Sequence, residues 1–161
     1  MVNTSSEPRT VSATRRATYL NGLAALIVGI AIVTATSQAH HHYDPKAASG
    51  WRELPIYAIS GLIGYGVAFG LGLLRARRSG TTKTTAWTAL VLAVVGVVLF
   101  PVAWWTPIPF VFGAAAILLG VDANTAAGRS RLNTAAIGLG SLAILATVGL
   151  LAYRIVEALS H

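Results

Sequence analysis

Cysteine is absent from the 161-residue chain. A disulfide framework, a thiolate metal site and a cysteine nucleophile are therefore excluded. Charge is also scarce. Only 11% of residues are Asp, Glu, Lys or Arg, where soluble domains carry about 25%. Acidic residues are the rarer sign, five against twelve Lys and Arg. What fills the chain is apolar: 55% of residues, with a mean hydropathy of +0.66. A water-soluble globular domain does not fit this balance. A disordered chain does not fit it either, because disorder needs low hydrophobicity.

The apolar residues come in long runs. A spanning helix needs about 20 of them, since the hydrocarbon layer is about 30 Å thick and each residue rises about 1.5 Å. Five segments qualify: residues 17–39, 55–74, 86–105, 108–127 and 134–153. The runs do not alternate apolar and polar side chains, which excludes a transmembrane β-barrel. The sequence thus predicts an all-α fold, a polytopic transmembrane helix bundle forming one domain over residues 17–161. Residues 1–16 offer nothing to bury, and disorder is expected there. The connections are short, the longest being residues 40–54, so none can fold as a soluble domain. A rival reading of the first span makes it a cleaved signal peptide, with Arg15 and Arg16 before the apolar core and Ser37-Gln38-Ala39 after it. That reading leaves four spans in the same orientation.

The net charge of +7 invites a nucleic-acid partner, but the positions of the charges argue against one. Arg9, Arg15, Arg16, Arg75, Arg77, Arg78, Lys83, Arg129 and Arg131 fall on one side of a five-span arrangement. Lys46, Arg52 and Arg154 fall on the other. This asymmetry predicts a cytoplasmic N-terminus and an external C-terminus. The expected partner of the basic loops is the anionic surface of the lipid bilayer. Trp51, Tyr57, Trp104, Trp105 and Tyr153 mark outer span ends, and Tyr19 and Trp87 inner ends, as interfacial anchors do.

Small residues recur at a spacing of four. In the second span they are Ser60, Gly64, Ala68 and Gly72, with Gly66 and Gly70 on an adjacent face. Residues four apart share a helix face, and small ones admit a neighbouring backbone. The second span is therefore expected to be the central packing helix. The fourth span offers Ala116, Gly120, Asn124 and Gly128, and the fifth Ala136 and Gly140. Packing within one chain is the first reading of these stripes; self-association or another membrane protein is the second. Pro101 is expected to kink the third span, and Pro107 and Pro109 to shape an outer hairpin.

Two features carry candidate chemistry. The run His40-His41-His42-Tyr43-Asp44 is the more unusual. On a helix, consecutive rings point about 100° apart. In extended chain His40 and His42 share a side, and Asp44 can join them as ligands to zinc, copper or nickel. The plainer reading, a solvated connector, is preferred, because no H-x-x-x-H or H-E-x-x-H spacing is present. Asp122 is the acidic residue inside the predicted spans. It lies fourteen residues after Ile108, about 20 Å down the helix. Asn124, Thr125, Arg129 and Arg131 are the expected partners there, in a structural role at the helix end. Arg154 and Glu157 read as a surface pair. Nothing resembles a nucleotide loop, a triad or a paired-carboxylate site, and no cofactor is expected.

From Thr88 onward the pattern is Leu90-Val91-Leu92-Ala93, a Pro-containing turn, and Phe112-Gly113-Ala114-Ala115-Ala116-Ile117-Leu118-Leu119-Gly120. A short arginine loop and Asn133-Thr134-Ala135-Ala136-Ile137-Gly138-Leu139-Gly140 follow. Over roughly residues 88–155 this resembles a family of small actinobacterial integral membrane proteins. The resemblance implies a helical membrane fold and carries over no catalytic residues. The combined expectation is a non-enzymatic, multi-pass protein of a bacterial inner membrane, an accessory or scaffold subunit that works through helix packing. The alternative is a small channel, carrier or metal- or pH-responsive sensor using the histidine loop.

Overall fold

A computed structural model describes residues 7–43, 46, 49–72, 74–75 and 81–160. Those residues form helices and short turns, with no strand among them. Helix α1 is Glu7–Tyr43 and α2 is Gly50–Tyr65, continued by a π-helical stretch over Gly66–Leu71. Helices α3, α4 and α5 are Thr82–Ala103, Ile108–Ala127 and Arg131–Leu159. Each of the five contains a segment long and apolar enough to cross a membrane. Large apolar side chains cover the outside, among them Ile59, Val98, Val102, Leu145 and Val156. An outer surface of this kind suits lipid and not water. The architecture is that of a multi-pass membrane protein.

Several boundaries differ from the sequence reading. The first helix begins at Glu7, so residues 7–16 are helical where disorder is expected. Pro8 is tolerated because the first turn has no internal partner for its missing N–H. The second helix begins at Gly50, five residues before the expected start. Ser49 caps it in extended conformation, and its carbonyl accepts from Arg52 and Glu53 N–H at 2.9 and 3.2 Å. Pro55 therefore lies inside the helix instead of opening it. The fourth helix keeps its expected bounds: prolines at its start and Gly128 at its end delimit it. Gly128 sits at φ +81°, a left-handed value that glycine adopts without strain, and its N–H reaches Asn124 O at 2.9 Å.

The central helix is α4, not α2. Of its most apolar stretch 56% is buried, against 33% or less in every other span. Helices α3, α4 and α5 pack on one another as a unit, and the α1–α2 hairpin lies against it, α1 on α4 and α5, α2 on α4. Within the three-helix unit the closest approach is between α4 and α5. A Cβ added at Gly113 would lie 2.7 Å from Gly140 O, and one at Gly140 equally close to Gly113 O. Backbone meets backbone there, with no side chain able to yield. Gly120 on Ile137 and Gly96 on Phe112 repeat the theme less tightly. Such contacts matter because lipid supplies little hydrophobic drive between helices.

The centre of the α3–α4 turn is recessed. Thr106 is 3% exposed, and Pro107 and Pro109 less than 2%. Gly29 of α1 and Gly61 of α2 let Pro107 nest between them. A buried turn must satisfy its polar groups. Two prolines bring no N–H, Thr106 N–H and hydroxyl both donate to Ala103 O, and Val111 N–H donates to Pro107 O. Pro101 is inside the last turn of α3, two residues before the helix ends.

Candidate functional site

Short connections alternate between the two ends of the bundle. Arg75, Lys83, Arg129 and Arg131 belong to one, the basic end. The α1–α2 connection, the α3–α4 turn and the end of α5 belong to the other, here the far end. Helices α1, α2 and α5 extend beyond the recessed turn, and a cavity of about 180 Å³ lies above it. Ser37, His40, Glu53, Tyr57, Trp104 and Arg154 line it, with apolar walls from α1 and α5.

Glu53 organises this cavity. Ser37 Oγ donates to its Oε2 at 3.0 Å, and the buried Tyr57 hydroxyl donates to the same oxygen. Glu53 and Tyr57 are four apart on α2 and so share a face; Ser37 reaches across from α1. Beside them Ser49 Oγ donates to Gln38 Oε1 at 3.0 Å, a second polar tie within the hairpin. The α2 start is held close, since a Cβ at Gly50 would come within 2.4 Å of Thr34 O. From α5, Arg154 Nη1 donates to Glu157 Oε2 at 3.0 Å, and its guanidinium lies 5.9 Å from the Trp104 ring centroid. A carboxylate with two hydroxyl donors, a guanidinium and aromatic walls can select a small polar or cationic solute.

Sequence reasoning missed Glu53, because Pro55 was read as the start of the span. The signals were present: Ser49 suits an N-cap, an acidic residue suits a first turn, and proline is tolerated near a helix start. The acidic residues within spans are therefore Glu53, Asp122 and Glu157. The Arg154–Glu157 pair forms as expected.

The histidines are placed differently from the metal-site expectation. His40, His41 and His42 belong to the last turn of α1 and are not extended. Helical spacing turns His40 toward the Glu53 cavity, while His42 lines a separate apolar groove beside Trp51. The structure does not bring the pair together, and Asp44 lies outside the described residues. Among the described residues no three His, Cys, Asp or Glu side chains form a metal-sized group.

Asp122 is half-buried near the end of α4, and two of its expected partners, Asn124 and Thr125, bond elsewhere. Asn124 Oδ1 accepts from Asn133 Nδ2 of α5 at 2.9 Å, and Thr125 Oγ1 donates to Asp122's backbone carbonyl at 2.8 Å. Among the described residues no ion pair joins Asp122 to Arg129 or Arg131.

Of the second-span stripe, Gly64, Ala68 and Gly72 are buried and Ser60 partly so. Gly64 faces Ile108 and Gly72 faces Leu92 and Thr88, whereas the Ser60 hydroxyl donates to Tyr57 O within its own helix. Gly61, one position off the stripe, makes tighter contact than any of these, on Leu26 and Pro107. Phe69 is buried against Gly22 and stacks on Tyr65 at 5.0 Å, and Tyr65 hydroxyl donates to Tyr19 O. Gly66 and Gly70 face open space.

No protein-family model, no curated protein and no solved structure matches this chain.

Proposed function

We propose that this is a non-enzymatic, multi-pass protein of a bacterial inner membrane, an accessory or scaffold subunit that works by packing a helix face against another membrane protein. One observation carries the reading. The glycines at tight crossings, Gly61, Gly96, Gly113, Gly120 and Gly140, are used within the chain. Gly66 and Gly70, one turn apart in the π-helical stretch of α2, meet nothing within 4 Å. Small residues facing outward admit a second backbone, and π-helical turns often accompany function. A photo-cross-linker at position 63 should capture one protein partner in native membranes, and Gly66→Leu with Gly70→Leu should abolish the adduct. Lipid adducts alone, unchanged by the double substitution, would reject the reading. The orientation that goes with it, N-terminus in the cytoplasm, rests on the basic asymmetry. Protease protection of a C-terminal tag in intact spheroplasts would overturn that orientation.

The Glu53 cavity favours a second reading, a small carrier or sensor for an organic cation at the far end, with His40 on its rim. Trp104 and Trp105 give it an intrinsic signal. Titration with tetramethylammonium should change their fluorescence saturably, and Glu53→Gln should remove the change. A linear or absent response eliminates this reading.

A further inference from the structure

At the basic end a groove of about 590 Å³ runs between the π-helical stretch of α2 and the first turns of α3. Arg75 and Lys83 stand at its rim, both exposed. Trp87 is half-exposed beside them, and Val67, Val91 and Leu92 form an apolar track leading away. Gly72 packs on Leu92 and Thr88, so the two helices close the floor. Among the described residues neither cation has a carboxylate partner; the ion pair that does form, Arg154–Glu157, is at the opposite end.

We propose that this groove binds one anionic phospholipid, its phosphate held between Arg75 and Lys83 and an acyl chain laid along Val67, Val91 and Leu92. Two unpaired cations at one rim call for an anion. The guanidinium fork matches phosphate oxygens, and the ammonium adds a point charge. A soluble phosphate has no use for the apolar track, whereas a phospholipid joins both chemistries in one molecule. An indole at the rim suits the headgroup level, where one side of the ring is wet and the other apolar. The groove differs from general attraction to a basic surface, because it assigns two of the cations at this end and leaves Arg129 and Arg131 out.

The test uses the full chain, delipidated in mild detergent and read by native mass spectrometry and thermal unfolding. Phosphatidylglycerol should bind and stabilise at least tenfold more effectively than phosphatidylcholine with the same chains, and inorganic phosphate should do neither. Arg75→Gln with Lys83→Gln should remove the preference while the unfolding temperature without lipid stays unchanged, since both side chains are exposed. Arg129→Gln with Arg131→Gln should leave the preference intact. Equal loss in both double variants would reduce the effect to overall charge and overturn the site. So would retention of the preference in the Arg75/Lys83 variant, or stabilisation by inorganic phosphate equal to that by the lipid.

Discussion

The α3–α4–α5 unit and the α1–α2 hairpin are held by different physics. In the unit, backbones meet directly at Gly113 and Gly140, and one polar bond, Asn133 to Asn124, crosses between α4 and α5. The hairpin has one backbone approach of its own, Gly50 on Thr34 O, but adds a set of side-chain contacts: Ser37 and Glu53, Ser49 and Gln38, Tyr65 and Tyr19, Phe69 in the notch at Gly22. A glycine contact in which backbone meets backbone is rigid and tolerates nothing larger. Hydrogen-bonded contacts leave polar groups near a cavity, where a solute can compete for them. The first region therefore reads as framework and the second as the part with recognition chemistry.

Breaking the framework should produce the largest effect. Gly113→Leu places its Cβ 2.7 Å from Gly140 O, and neither backbone can move without separating α4 from α5. A cost of about 3 kcal/mol or more is expected, at the upper end for overpacking. Thermal unfolding in detergent should show a large fall in midpoint and a low yield of monodisperse protein. Gly138→Leu, where a Cβ meets nothing within 4 Å, is the control and should behave as the parent. Equal behaviour of the two would mean that the close crossing does not form.

A change at Glu53 should strike the hairpin and spare the framework. Glu53→Ala leaves the Ser37 and Tyr57 hydroxyls without their shared acceptor. Hydrogen bonds to a charged group contribute about 1.5–3 kcal/mol, and half-exposure places the loss at the low end. Amide hydrogen exchange should rise at the end of α1 and the start of α2, with α4 unaltered. Exchange that rises uniformly along all five helices would mean that the two regions unfold as one.

A smaller effect is expected within the framework from Asn133→Ala. The residue is 2% exposed, and its amide donates to Asn124. Interhelical bonds of this kind in membranes average about 0.6 kcal/mol. The loss is reduced further because Asn133 Oδ1 is buried without a partner, a cost that the substitution relieves. A fall in midpoint as large as that of Gly113→Leu would show the Asn pair, not the glycine crossing, to be the main tie between α4 and α5.

The spans were legible from the sequence because run length and hydropathy measure what a bilayer demands of each segment separately. The fourth helix was read to the residue, since prolines and Gly128 act on the local backbone. Depth was not legible. The recessed α3–α4 turn depends on Gly29 and Gly61, glycines of two other helices, and no local pattern at Thr106-Pro107 announces it. The same holds for the central place of α4, which follows from contacts with four neighbours. Glu53 is within reach of the Ser49 capping signal, which places the helix start ahead of Pro55. The relation of His40 to His42 turns on one conformational choice: extended chain aligns the two, and the last turn of α1 parts them.

The smallest expected effect sharpens the comparison at the seam between the two regions. Gly64 of α2 faces Ile108 at the start of α4, and an added Cβ would lie 3.3 Å from Ile108 Cγ1 and 3.6 Å from its Cα. That is tight, yet the nearest atom belongs to a side chain with a rotatable bond. Gly64→Ala also removes a residue that costs a helix about 1 kcal/mol relative to alanine. The gain and the crowding are of similar size and opposite sign, so the net change should fall within about 0.5 kcal/mol of zero. Gly61→Ala, three residues earlier, meets Leu26 at 2.7 Å and the Pro107 ring at 2.9 Å and should be the more destabilising of the two. Proline cannot rotate away, and the turn behind it is buried. Paired unfolding curves in one detergent decide the matter. If Gly64→Ala lowers the midpoint as far as Gly61→Ala does, the hairpin is locked to the framework along the whole of α2. If only Gly61→Ala does, the two regions are joined chiefly at the recessed turn, and the cavity above it is free to open without disturbing the α2–α4 contact below.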